Sequence, residues 1–155
     1  VLIAIRHNIE VAHRLTWPKG KCENIHGHSM IVELSIDDLV NEKGLAGGID
    51  FGKIKEGFRQ YLDTYYDHRL ILNAEDPWAN LGIVTDSLGN QREDLKGQLP
   101  GLRVMWSNPT TENIAIEILR WCKERYGDRA RTVRVDETKT NTAIADTRDL
   151  KKEEA

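Results

Sequence analysis

The chain has 155 residues, a formal net charge of −3 and a pI near 6.0, with 22 basic and 25 acidic side chains scattered along it. That length suits a single domain over 1–155 with one core, and the charge balance offers no basic footprint, so nucleic acid is not an expected partner. No apolar run approaches a membrane span and the N-terminus alternates as a strand does, so the expected setting is the cytoplasm, with no membrane attachment and with Cys22 and Cys122 as free thiols.

The first predicted element is a strand in which Val1, Ile3, Ile5, His7, Ile9, Val11 and His13 share one face against Arg6, Asn8, Glu10 and Arg14. A second places His26, His28, Met30, Val32, Leu34 and Ile36 on one face, with Gly27 and Ser29 pointing away. A connection of about a dozen residues makes these an antiparallel hairpin, with His13 roughly opposite His26. Asn41-Glu42-Lys43-Gly44 reads as a turn, and Gly47-Gly48-Ile49-Asp50 leads into a helix capped by Asp50. Phe51, Ile54, Phe58, Leu62 and Tyr65 form the apolar face of that helix, which runs to about Tyr66 and stops before Asp67-His68.

Residues 74–106 are broken by Gly82, Gly89, Gly97, Pro100 and Gly101, which predicts a loop-rich excursion with room for a short helical turn. A second helix begins at Asn108-Pro109-Thr110-Thr111-Glu112, with Asn108 or Thr110 as its cap, and ends at Gly127. Ile114, Ile118 and Trp121 mark its buried face, and Cys122 belongs to its packing. Val133, Val135 and Glu137 then share the inward face of a third strand. A turn over Lys139 to Asn141 returns the chain as a fourth, Thr142 to Thr147. The predicted order is ββααββ, an α+β layer with a four-stranded antiparallel sheet covered on one face by two helices.

Three sets of side chains carry chemistry. His13, His26 and His28 converge at one end of the hairpin, and neutral imidazoles are the commonest zinc ligands; His7, on the same face as His13 but with no second histidine beside it, reads as a hydrogen-bonded core residue. Three protein ligands leave a coordination position open, as in catalytic zinc sites; the alternative is that Cys22 closes the shell and the ion only staples the hairpin. Asp67-His68 can form a proton-transfer set with Cys22, since an imidazole near a thiol lowers its pKa; a histidine favoured by a helix C-terminus is the competing explanation. Glu137, on an apolar strand face, needs a partner. An internal arginine would serve, and so would a flat heterocycle with two adjacent N–H donors, such as guanine or a pterin.

Together these residues resemble the 6-pyruvoyl-tetrahydropterin synthase superfamily, and within it the 6-carboxy-tetrahydropterin synthase branch. The resemblance rests on Ala12-His13-Arg14-Leu15, Gly20-Lys21-Cys22, His26-Gly27-His28, Ile49-Asp50-Phe51, Asp67-His68, Pro109-Thr110-Thr111-Glu112-Asn113 and Glu137-Thr138. It implies a tunnelling fold (T-fold) that assembles as a homo-hexamer of two trimers, with sites at subunit interfaces. It implies zinc on His13, His26 and His28, Cys22 as catalytic base, a relay completed by Asp67 and His68, and a pterin anchored by Glu137 with Thr110 and Thr111 nearby. The implied reaction is a lyase step of queuosine (7-deazaguanine) biosynthesis that converts 7,8-dihydroneopterin triphosphate to 6-carboxy-5,6,7,8-tetrahydropterin. The four-residue step from Cys22 to His26 favours this branch. Thr110-Thr111-Glu112-Asn113 reads more like the pyruvoyl branch, whose enzymes eliminate triphosphate without carbon–carbon cleavage. A non-catalytic pterin-binding protein is the remaining alternative.

Overall fold

In the computed structural model, which describes residues 1–45, 50–80, 84–85, 91–92 and 100–150, the first two strands form the expected hairpin. β1 (Leu2–His13) and β2 (His26–Asp37) pair antiparallel from Leu2↔Asp37 to His13↔His26, so the two histidines are directly opposite. Helix α1 (Phe51–Tyr65) follows, capped by Asp50, whose carboxylate accepts the Gly52 N–H at 3.0 Å. The remaining elements are β3 (Arg69–Asn73), a small ribbon of β4 (Val84–Thr85) and β5 (Gln91–Arg92), β6 (Leu102–Met105), α2 (Thr111–Tyr126), β7 (Ala130–Asp136) and β8 (Thr142–Asp146).

The main sheet corrects the four-stranded antiparallel expectation. It has six strands in the order β6-β3-β1-β2-β7-β8, and it is mixed, because β3 runs parallel to β1 and β6 parallel to β3. Both added strands are short. The apolar positions of β3, Leu70-Ile71-Leu72, are contiguous rather than alternating, as expected of a strand inside a parallel arrangement, and such a run has no period to read. Within 74–106 the expected helical turn is present as a 3-10 turn, Pro77–Asn80. Gly82, Gly89 and Gly97 of that excursion, and Gly47, Gly48 and Ile49 before α1, lie outside the described residues.

The core fills the face of the sheet that carries the odd-numbered residues of β1. Ile9, Met30, Val32, Leu34, Val133 and Val135 are fully buried against Phe58 and Leu62 of α1 and Ile114, Ile118 and Leu119 of α2. Each such side chain contributes about 1.5–3 kcal/mol on transfer from water. Cys122 is buried in the same core and Cys22 is exposed, both as free thiols. Tyr66 donates to Glu117 at 2.6 Å, and Arg103 on edge strand β6 pairs with the same carboxylate, which ties that edge to α1 and α2.

One ion pair is buried beside the hairpin end. Asp76 has no exposed surface and lies 2.8 Å from Arg14 Nε, while the Arg14 guanidinium sits over the Trp78 ring at 5.1 Å. Such a pair adds little net stability but fixes geometry. Here it ties the segment after β3 to the residue next to His13. Among the described residues no helix is long and apolar enough to cross a membrane.

Candidate metal centre and active site

The site forms where the hairpin ends meet the start of α2. Alternation brings His13, His26 and His28 to the same face, and their ligand nitrogens lie within 4.8 Å of one another. The ring centroids are 4.6 to 5.2 Å apart. Between the two β2 histidines glycine is favoured, because a Cβ on Gly27 would stand 3.0 Å from the Val11 carbonyl oxygen, closer than side chains ordinarily pack against backbone. The His-Gly-His order thus follows from close strand approach as well as from ligand spacing.

Hydrogen bonding fixes how two of the imidazoles face. His13 Nδ1 lies 2.8 Å from the Pro109 carbonyl and His26 Nδ1 lies 2.8 Å from the Asn24 carbonyl. A carbonyl only accepts, so each Nδ1 carries the proton and each Nε2 keeps a free lone pair. The Nε2 atoms of His13 and His28 are buried without a hydrogen-bond partner. Buried polar atoms that face one another unpaired are costly unless something fills the space between them. The three histidines therefore fit a metal ion. Cys22 is not part of the cluster, so the arrangement is not that of a four-ligand staple.

Burial lowers the His13 pKa, the Pro109 carbonyl raises it, the neighbouring His26 and His28 lower it and Glu137 raises it; the net direction is down. A base whose folded pKa lies below its ordinary 6.5 binds fewer protons folded than unfolded. The metal-free protein is therefore expected to lose stability as pH falls through about 6.5, whereas above that value the group contributes no pH dependence. Denaturant midpoints at neutral and mildly acidic pH should fall more steeply in wild type than in His13→Asn. Equal slopes would remove His13 as the cause.

Glu137 comes next to this cluster. It lies one residue past β7 rather than inside it, and its Oε1 is 3.9 Å from His13 Nε2 and 3.7 Å from His28 Nε2. These separations exceed hydrogen bonding. Among the described residues the partner of Glu137 is Thr111 in place of an arginine, its hydroxyl donating to Oε1 at 2.7 Å. Thr110 caps α2 by accepting the Asn113 N–H at 3.3 Å. Of the two candidate caps it is therefore Thr110 that serves, and the Asn108 side chain goes elsewhere.

Asp67 and His68 contact each other: Nδ1 of His68 lies 2.8 Å from Asp67 Oδ2. Burial raises the Asp67 pKa, but the Glu10 N–H at 2.8 Å and the His68 ring outweigh it and hold the carboxyl below its usual range. The His68 N–H donates to the Glu10 carbonyl at 2.7 Å, and the residue is left-handed at φ 56°, so its exposed ring is presented from a fixed backbone. No hydrogen bond joins this pair to Cys22. Instead His68 lines a depression of about 530 Å³ with Glu10, Ala12, Gly27, Ser29 and Gly101. In β1 and β2 those residues alternate with the ones that form the core. His7 binds Asp63 Oδ1 at 2.6 Å, hydrogen-bonded as expected but half-buried at the surface and not part of the core.

The sequence profile of the 6-pyruvoyl tetrahydropterin synthase family matches residues 2–148. The chain belongs to this family. Relatives in the 6-pyruvoyl tetrahydropterin synthase family include a Rickettsia typhi protein named 6-carboxy-5,6,7,8-tetrahydropterin synthase, 35% identical over 113 residues, which are 73% of each chain. A Rickettsia felis protein of the same name is 34% identical over the same share of each chain. Among solved structures, an uncharacterized protein from Wolinella succinogenes superposes with a TM-score of 0.75 at 22% identity, covering 95% of this chain and 98% of its own. The Caenorhabditis elegans 6-pyruvoyl tetrahydropterin synthase gives 0.64 at 20% identity, covering 94% of each. At those identities the structures establish the shared fold alone.

Proposed function

We propose that the chain is a zinc-dependent lyase that converts 7,8-dihydroneopterin triphosphate to 6-carboxy-5,6,7,8-tetrahydropterin, with loss of triphosphate and acetaldehyde. The observation that carries the reading is the three-histidine cluster with two orphaned Nε2 atoms, in a chain about one third identical to proteins named for that product. His13, His26 and His28 would hold the zinc, which when bound polarises oxygen atoms of the substrate side chain.

The chain's own residues do the rest. Glu137, oriented by Thr111 and beside the metal ligands, accepts N–H bonds from the pterin edge and so orients the substrate; Thr110 holds the start of α2 in place behind it. Cys22 carries a proton to and from side-chain carbon. Asp67 holds the His68 imidazole by its Nδ1, which leaves Nε2 to exchange protons with a thiol. Because Cys22 and the Asp67–His68 pair do not bond within one chain, the relay is completed across a contact between copies. The open sheet edges at β6 and β8, with Val104 45% and Ile144 60% exposed, suit such an assembly.

The family profile carries the pyruvoyl name, which favours as second reading a 6-pyruvoyl product formed without carbon–carbon cleavage. Mass spectrometry of the zinc-loaded protein with dihydroneopterin triphosphate separates the two. Carboxy-tetrahydropterin with acetaldehyde is expected. Pyruvoyl-tetrahydropterin would transfer the assignment to the other branch, and untouched substrate with zinc bound would leave a pterin-binding protein.

A further inference from the structure

The loop from Arg14 to Ile25 joins the two histidine-bearing strand ends and carries Cys22, yet burial does not hold it: residues 17–22 are all exposed, Trp17 at 74%. A proton carrier on an unrestrained loop would spend little time at a reacting carbon. Hydrogen bonds must therefore set its position. Inside the loop, the Leu15 N–H donates to the Cys22 carbonyl at 2.7 Å, so Cys22 follows residues 15 to 17.

Thr16 and Trp17 are in turn held by Asn108. Its Oδ1 accepts the Thr16 N–H at 3.1 Å and lies 3.4 Å from the Thr16 hydroxyl, while its Nδ2 donates to the Trp17 carbonyl. One planar amide thus accepts from the backbone of Thr16 and donates to the backbone of Trp17, so it grips two successive residues of the loop. The backbone around Asn108 is itself fixed. Its carbonyl accepts the Thr110 N–H at 2.7 Å and the Asn113 side chain at 2.8 Å, and the carbonyl of Pro109 meets His13 Nδ1. The same three residues orient a metal ligand, cap α2 and grip the thiol loop.

We propose that Asn108 is a positioning residue that fixes the Cys22 loop relative to the metal ligands. The proposal rests on the reading of Cys22 as proton carrier. Only an amide of this length supplies both contacts: Asp keeps the acceptor and loses the donor, and Ala loses both.

In Asn108→Ala, kcat is expected to fall about 10- to 100-fold with KM within about threefold, as a shifted catalytic group would produce. Bound zinc per chain should be unchanged, since the contact to His13 comes from the Pro109 backbone. Alkylation of Cys22 by iodoacetamide should change in rate by about threefold or more, because the loop that carries the thiol is no longer tied to Asn108 at Thr16 and Trp17. Asn108→Asp, which keeps the acceptor for Thr16 but sets a second acceptor against the Trp17 carbonyl, should lose activity as Asn108→Ala does. Unchanged kcat and alkylation, or loss of zinc in step with activity, would overturn the proposal. The wild-type protein supplies a test that needs no variant: the Thr16 amide should exchange with deuterium more slowly than those of Lys19 and Lys21, and fast exchange at Thr16 would overturn it equally. Cys22→Ala keeps the two hypotheses apart. If that variant retains turnover the lyase reading of Cys22 fails, whereas amide exchange still decides whether Asn108 holds the loop.

Discussion

His28→Ala is expected to lose bound metal and to lower turnover of dihydroneopterin triphosphate by about 10³-fold or more. The magnitude follows from the several kcal/mol that a metal supplies in stabilising developing charge, at tenfold per 1.4 kcal/mol. His28 is the informative candidate ligand because its Nε2 is buried with no hydrogen-bond partner, so its truncation removes a ligand and breaks no hydrogen bond. The strand should survive, since β2 pairs with β1 along its whole length and with β7 from Ile31 to Ile36. Metal stoichiometry by emission spectroscopy, read beside the circular dichroism of the same sample, distinguishes loss of the ion from loss of the fold. His7→Ala is the control. It removes a histidine bonded to Asp63 and should leave metal content alone. Full turnover by metal-free His28→Ala would sink the metal-centred reading.

Replacement of Cys22 by alanine carries the second large effect, a fall in kcat of about 10²- to 10⁴-fold, the range removed with a general acid or base. Zinc should stay bound, because the thiol is not among the clustered ligand atoms. Retention of the ion separates this variant from His28→Ala. Cobalt substitution examines the same point in the unaltered protein. A tetrahedral site of three imidazoles gives no thiolate-to-cobalt charge-transfer band, whereas a band that disappears in Cys22→Ala would place the sulfur on the metal and end its role as a free base. An unchanged kcat in Cys22→Ala would refute the assignment outright.

The convergence of the three histidines was legible in the sequence because two local rules suffice for it. Strand alternation put His26 and His28 on one face, and the length of the connection put His13 opposite His26. The two helices were readable for a similar reason, since Asp50 and Gly127 mark ends that depend on chemistry within a few residues of each. Glu137 was legible as an inward carboxylate, but its partner was not. Thr111 reaches it from the first turn of α2, a contact between elements that no local pattern encodes.

Other features depended on placement in three dimensions. The strands Arg69–Asn73 and Leu102–Met105 exist because each lies parallel to a neighbour distant in the chain, and runs of four or five residues carry too little periodicity to reveal such pairing. Asn108 shows the same division within one residue. Its type and its place before a helix suggest a cap, yet Thr110 two residues on takes that role and leaves the amide to Thr16 and Trp17 of the Cys22 loop, more than ninety residues earlier in the chain. The residue types of the site and their faces were thus determined by the sequence itself, since alternation, capping and turn chemistry act over a few residues. The tertiary structure alone decided which sheet they share, what holds the thiol loop, and that the Asp67–His68 pair bonds to itself and not to Cys22, because those contacts arise only when distant segments pack.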